Sequence, residues 1–183
     1  SRVEEMFERI ERLVRRNNEV SRRVHERNRE LIKRNREKVK KVHDDNKKLI
    51  DDLRELKRRG EIREEEAKKV LEEIEKSLRE LKKHSEDVLR EIDKTLRESE
   101  KHSDDVTREI DELLKRILDE DKDSERVRRL VEEARRLLKK SKDDNRRVVK
   151  RSREEVTRSL REVEKLVDES RREAEKVLEE VKK

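Results

Sequence analysis

The sequence has no cysteine, no proline, no tryptophan and no tyrosine, one glycine (Gly60) and one aromatic residue (Phe7). Each absence excludes something. Without cysteine, neither a disulfide framework nor a cysteine-ligated zinc site can form. A single glycine cannot build a phosphate-cradling loop. With neither aromatics nor turn residues, a β-rich fold is not expected. No run approaches the roughly 18 apolar residues of a membrane span, and no signal-peptide core is present. Without a targeting signal, a soluble chain made by recombinant cytoplasmic expression is the expectation.

Charge is what the chain has in abundance. Of its 183 residues, 59% are charged and 27% hydrophobic. Such a composition often marks disorder, but disorder usually carries high net charge. Here 57 basic and 51 acidic residues nearly cancel, leaving +6. Glu, Lys, Arg, Leu and Val dominate, which points to long helices. The two signs are interspersed, as on a solvated helix surface. With no aromatic stacking platform and no recognised motif, nucleic acid is not an expected partner.

Punctuation divides the chain into three helices. Gly60 follows the basic run Lys57-Arg58-Arg59 and can take the left-handed C-terminal conformation. Glu64-Glu65-Glu66 is an acidic first turn. A second break falls at residues 119–124, where Asp123 or Ser124 can cap the next helix. The spacing predicts helices over about 2–59, 62–118 and 124–182, each about 85 Å long at 1.5 Å per residue. Short loops make sequential neighbours antiparallel. The expected fold is all-α, a long antiparallel three-helix bundle forming a single domain over residues 1–183.

The pattern repeats every 18 residues. Val24-His25 recurs as Val42-His43, Leu31-Ile32 as Leu49-Ile50, and His84-Ser85 as His102-Ser103. Ile74, Ile92 and Ile110 share the spacing, as do Ser141 with Ser159 and Ser152 with Ser170. Eighteen residues make five turns of a 3.6-residue helix, so the repeat does not impose the supercoil of a heptad. Near-straight helices are expected. Projection at 100° per residue gathers the apolar residues of each helix into one arc of about 140°. A chain with one apolar face per helix can bury its core without help.

Polar residues interrupt those arcs. They are Asn17, Ser21, His25, Asn28, Asn35, His43 and Asn46 on the first helix. The second carries Ser77, His84, Ser85, Thr95, Ser99, His102, Ser103 and Thr107. The third carries Ser141, Asn145, Ser152, Ser159 and Ser170. A buried hydroxyl or amide without a partner costs about 1–3 kcal/mol, so these groups must pair, reach water or meet another chain. The four histidines sit at the rims of their arcs. Asn offers a donor and an acceptor together, and neutral His one of each, so networks across helices are feasible.

The repeat, the layered His/Asn/Ser/Thr positions and the Glu/Lys/Arg surface resemble de novo designed helical bundles with modular buried hydrogen-bond networks. The resemblance covers the whole chain. It implies no natural biochemical activity. It implies instead that the polar layers specify helix pairing, since a buried polar layer penalises wrong registers. Members of this class include homo-oligomers, three-plus-one heterodimers, switchable cages and pH-responsive bundles. Alanine is scarce and the arcs unusually polar for the class.

Catalytic and cofactor chemistry find no support. Ser and His adjoin at 84–85 and 102–103, but neighbours one apart diverge by about 100° on a helix, and no oriented acid or oxyanion hole accompanies them. The chain is not expected to be an enzyme or to need a cofactor or small molecule. If the first two helices pivot near residue 61, His25 and His102 are staggered by about 8 Å, as are His43 and His84. A zinc site needs three or four ligands about 2 Å from one point, so no metal site is expected.

Charge by helix is informative. Residues 1–59 hold 21 basic against 13 acidic residues (+8), residues 60–118 hold 14 against 19 (−5), and residues 125–183 hold 21 against 15 (+6). The acidic helix suits both neighbours, but the first and third helices are both basic. An acidic helix from another chain, seated between them, would make every neighbouring pair opposite in charge. The leading expectation is an assembly module, the three-helix chain of an oligomer with such a partner or with itself. The alternatives are a monomeric scaffold and a pH-responsive switch, since the ordinary pKa of His lies near 6.5.

Overall fold

The computed structural model describes all residues from Ser1 to Lys183 as three helices, α1 (Arg2–Arg58), α2 (Glu64–Glu120) and α3 (Glu125–Lys182), with no strand. They pack as a three-helix bundle.

Local chemistry sets the ends. Gly60 adopts φ 70°, the left-handed conformation that glycine takes without a Cβ penalty. Its N–H donates to the Lys57 carbonyl at 2.9 Å and that of Glu61 to the Leu56 carbonyl at 3.0 Å. This pair of bonds is a Schellman motif, which satisfies the orphan carbonyls at the α1 terminus. Because Glu61 is spent on that motif, α2 starts at Glu64 rather than near 62. At its far end α2 continues two residues beyond 118, through Asp119 and Glu120. Acidic side chains at a helix C-terminus oppose the macrodipole by only a few tenths of a kcal/mol to about 1 kcal/mol. They are not stop signals, and Glu120 faces Arg2 across the helix pair. Ser124 caps α3, its Oγ accepting from the Val127 N–H at 3.3 Å.

The tertiary contacts fall into two compact units. Unit 1 comprises Ser1–Arg29 and Ile92–Glu154; unit 2 comprises Glu30–Glu91 and Glu155–Lys183. Each therefore takes a segment of all three helices.

In unit 1, Ile10 of α1 packs with Val106, Ile110, Leu114 and Ile117 of α2 and Val127, Val131 and Leu138 of α3. In unit 2, Val39, Ile50 and Leu53 pack with Ala67, Ile74, Leu78 and Leu81, and with Val163, Val167 and Val177. Helix α2 is the most deeply buried. Its 18-residue repeat Ile74, Ile92 and Ile110 is 1%, 0% and 0% exposed, because five full turns return a side chain to the same face.

Pairing directions can be read from side chains. Arg2 meets Glu120, Arg9 meets Glu109 and Asn28 meets Thr95, so α1 and α2 run antiparallel about a pivot near residue 61. Asn17 meets Ser141 and Ser21 meets Asn145, so α1 and α3 run parallel.

Candidate functional site

The features with chemical content are the buried polar layers. Unit 1 holds the best connected one. Ser141 Oγ donates to Asn18 Oδ1 at 2.6 Å and accepts from Asn17 Nδ2 at 3.2 Å. One turn along, Ser21 Oγ donates to Asn145 Oδ1 at 2.8 Å. His25 Nδ1 lies 3.5 Å from Ser152 Oγ. These contacts join α1 to α3. The same unit ties α1 to α2 through Thr95, whose Oγ1 reaches Asn28 Oδ1 at 3.0 Å and the Ile92 carbonyl at 2.9 Å. In unit 2, Ser85 Oγ donates to Asn35 Oδ1 at 3.0 Å, again between α1 and α2.

Other candidates do not join across helices. Thr107 Oγ1 turns back to the Ser103 carbonyl of its own helix, the local bond that Thr readily makes. Ser77, Ser99, Ser103 and Ser170 lie in the arcs, half-buried or buried, and their hydroxyls make no cross-helix bond. His84 is exposed and belongs to no layer. The next position, Ser85, is fully buried, so the inward place in this His-Ser pair is taken by Ser. Asn18 is missing from the sequence candidates because it sits one position outside the α1 arc. Its neighbour Asn17 is the available signal, since a consecutive Asn pair lets one side chain donate and the other accept at a single hydroxyl.

Five buried polar atoms have no hydrogen-bond partner: Asn28 Nδ2, His43 Nδ1, Asn46 Nδ2, His102 Nε2 and Ser159 Oγ. At about 1–3 kcal/mol each, such atoms are where water or an incoming polar group gains most. Three of the five belong to unit 2 and lie on α1 and α3. Unit 1 and unit 2 thus treat this helix pair differently. In unit 1 the pair is joined by side-chain hydrogen bonds; in unit 2 His43 and Ser159 keep unmet capacity.

Grooves mark the same helix pair. In unit 1 one of about 300 Å³ is lined by Phe7, Ile10, Val14, Leu130, Ala134 and Leu137. Leu137 there is 48% exposed. In unit 2 one of about 390 Å³ is lined by Val39, His43, Ser159, Val163 and Leu166 among others. A second, of about 330 Å³, shares His43 and reaches Ile50 and Ser170.

Charges follow a simple rule at the α2 interfaces. In its ion pairs with the other two helices α2 supplies the carboxylate: Glu120 to Arg2, Glu109 to Arg9, Glu100 to Arg153 and Glu75 to Arg171. Between α1 and α3 the outcome differs from the helix totals. In unit 2, Arg36 pairs with Glu162 at 3.8 Å, and Arg54 with Glu173 at 3.0 Å and Glu180 at 3.6 Å. Both helices are basic overall, but totals average over every face. The edge of α1 that meets α3 is basic here, and the facing edge of α3 is acidic.

No three His, Cys, Asp or Glu side chains converge in the geometry a metal ion needs. No helix is long and apolar enough to cross a membrane.

No family model matches the chain, and no curated relative is found. Among solved structures, one described as a computationally designed three helix bundle is similar, with a TM-score of 0.62 and 18% identity over 97% of this chain and 92% of that one. At that identity the likeness establishes the fold, a three-helix bundle.

Proposed function

We propose that this chain is a designed assembly module with no natural biochemical activity, a single domain over residues 1–183 through which each helix runs unbroken. Its buried polar layers specify which helices pair and in what register. The observation that carries this reading is the match of partners in the α1–α3 layer of unit 1. Asn17 and Ser21 on α1 meet Ser141 and Asn145 on α3 at one offset of 124 residues, and Asn18 joins Ser141 from the next position. A slip by one turn would break these bonds and set Ser21 opposite Val149, or Asn17 opposite Leu137, leaving a polar group against an apolar side chain at about 1–3 kcal/mol for each group left buried and unpaired. An apolar seam carries no such penalty. The purpose of such a layer is therefore selection among pairings.

The α1–α3 grooves and the half-exposed Leu137 support a further part of the reading. They suit the three-helix component of an oligomer, in which another helix covers that pair. The experiment is native mass spectrometry with light scattering on the purified chain and on a variant with Asn17, Asn18, Ser141 and Asn145 replaced by apolar residues of similar volume. The parent chain forms one defined species. The variant is at least as resistant to denaturant but populates several oligomers, because nothing penalises alternative registers. A variant as monodisperse as the parent would refute the proposed role of the layer. A parent chain that stays monomeric, with apolar surface closed to a reporter dye, would refute the partner.

A further inference from the structure

We infer that the outward face of α3 in unit 1 is a docking surface for duplex DNA, held through the phosphate backbone without regard to base sequence. This face is separate from the polar layers and from the grooves between α1 and α3, so it stands whether or not the chain has a partner helix.

Residues 135–151 hold nine basic side chains against two acidic ones, Asp143 and Asp144. Just outside this stretch Arg129 pairs with Glu125 and Arg153 with Glu100, but none of the nine inside it forms an ion pair. Eight of the nine fall in doublets at 135–136, 139–140, 146–147 and 150–151, and all eight are exposed. The later doublets follow the first by 4, 11 and 15 residues, each close to a whole number of helical turns. They therefore form two rows along the helix. One is Arg135, Lys139, Arg146 and Lys150; the other is Arg136, Lys140, Arg147 and Arg151. Each row runs about 22 Å, and the two lie about 100° apart. Of the two acids, Asp144 shares the phase of Glu162, on the edge that meets α1. Asp143 falls between the rows, a place that a DNA groove sets over base edges rather than phosphates.

The chemistry of this face selects its occupant. Leu137, the exposed large hydrophobic residue of the stretch, lies on the α1 side and lines the groove there, so the rows themselves offer no apolar seam. An amphipathic partner helix needs such a seam to bury its own apolar stripe, whereas a polyanion held by charge does not. The one aromatic residue, Phe7, is on α1, which leaves α3 nothing on which to stack the bases of a single strand. Duplex DNA carries one phosphate per about 1.7 Å of its axis, and its two strands flank a major groove about 12 Å wide. A helix about 10–12 Å across enters that groove with one row of cations toward each strand. The major groove of duplex RNA is too narrow to admit it. The missing stacking platform and motif bear on the reading of bases; contact with the backbone needs neither, because it is driven by release of counterions from the phosphates.

The test uses the full chain and a fluorescein-labelled DNA duplex of about 20 base pairs and scrambled sequence, with binding followed by anisotropy from about 50 mM to about 200 mM salt. With about four of the eight cations on phosphates at a time, the log–log slope is about −3.6, and the fourfold rise in salt weakens binding about 150-fold. Two variants of equal net charge are compared, each with its fold checked by circular dichroism. Arg136→Gln/Lys140→Gln/Arg147→Gln/Arg151→Gln removes one row, and Lys33→Gln/Lys38→Gln/Lys41→Gln/Lys48→Gln removes four exposed lysines of α1 in unit 2. The row variant should bind at least about tenfold more weakly at the lower salt, with its slope cut by about half. The lysine variant should stay within about threefold of the parent. A parent chain that does not bind the duplex at the lower salt overturns the inference. Equal losses in the two variants also overturn it, and mark net charge as the cause. So does equal or tighter binding of a single strand of the same length. Displacement of the duplex by polyglutamate at equal charge concentration overturns it as well, and marks an acidic protein segment as the occupant.

Discussion

Replacing Ser85 by Ala should destabilise the chain, while replacing Ser85 and Asn35 together should not. Ser85 is fully buried, and its hydroxyl donates to Asn35 Oδ1 at 3.0 Å, with Asn35 itself 2% exposed. The single change Ser85→Ala removes a small group and leaves almost no cavity. Its cost comes from the carbonyl of Asn35, left in a dry site without a donor, at about 1–3 kcal/mol. Asn35→Leu behaves differently. The orphaned Ser85 hydroxyl can turn to a carbonyl of its own helix one turn back, and the new leucine gains up to about 1.5–3 kcal/mol of apolar burial. That single change should be close to neutral. The double variant has nothing left to satisfy and should match or exceed the parent. The pairwise coupling is then about 1–3 kcal/mol. The assay is urea denaturation followed by helical circular dichroism at pH 7, in which urea leaves ion pairs unscreened. With a denaturant slope of about 2–3 kcal/mol per M, Ser85→Ala should lower the midpoint by roughly 0.3–1.5 M. If Ser85→Ala raises the midpoint, or the coupling is zero, Asn35 is being satisfied from elsewhere. The argument that these layers are closed pairs would then fail.

Three further outcomes follow from single sites. Gly60→Ala should cost about 1–2 kcal/mol, through backbone strain alone, because φ is 70° and no atom lies within 4 Å of where the added methyl would sit; Gly60→Asn should cost less, as seen in paired thermal melts. Ile110→Ala should cost about 2–5 kcal/mol, since Ile110 is fully buried in the unit 1 core, whereas His84→Ala should stay within about 0.5 kcal/mol because His84 is exposed; denaturant midpoints of the two variants check both. Leu137→Gln should cost no more than about 1 kcal/mol in the isolated chain, where Leu137 is already 48% exposed, and should reduce reporter-dye binding; a loss of several kcal/mol would mean that Leu137 is covered in solution.

The helices are legible in the sequence because their ends are encoded locally. Gly60 needs only its own backbone freedom to make the Schellman turn, and Ser124 needs only the N–H of Val127. The core is legible through the 18-residue repeat, since an integer number of turns fixes which face Ile74, Ile92 and Ile110 share. A pivot near residue 61 likewise accounts for the meetings of Asn28 with Thr95 and Asn35 with Ser85. The end of α2 departs from the sequence reading because charge is not punctuation: an acidic residue merely weakens a helix terminus. The histidines depart from it for a geometric reason. All four sit at arc rims, where a small rotation decides between groove and solvent. That rotation leaves His43 lining a groove and sends His84 out. The partners of individual polar groups are not legible, because they depend on rotamers and on the third helix.

Helix totals mislead for a related reason. Adding charge along α1 and α3 predicts repulsion, yet Arg36 and Arg54 find Glu162, Glu173 and Glu180. What a neighbouring helix feels is the charge within roughly a Debye length, about 10 Å at 0.1 M salt, and so the edge it faces. The rule at α2 holds at both levels, since α2 is acidic in total and supplies the carboxylate at Glu75, Glu100, Glu109 and Glu120. These exposed pairs add little stability, about 0–1 kcal/mol each. Their use in the proposed role would be discrimination, because exchanging partners puts like charges face to face. In the proposed assembly role, buried layers and edge charges would act on different errors. Under the function proposed above, the hydrogen bonds of Asn17, Asn18 and Ser21 would penalise a wrong register between the right helices. The ion pairs of Arg9 and Arg171 would penalise the wrong helix in the right place.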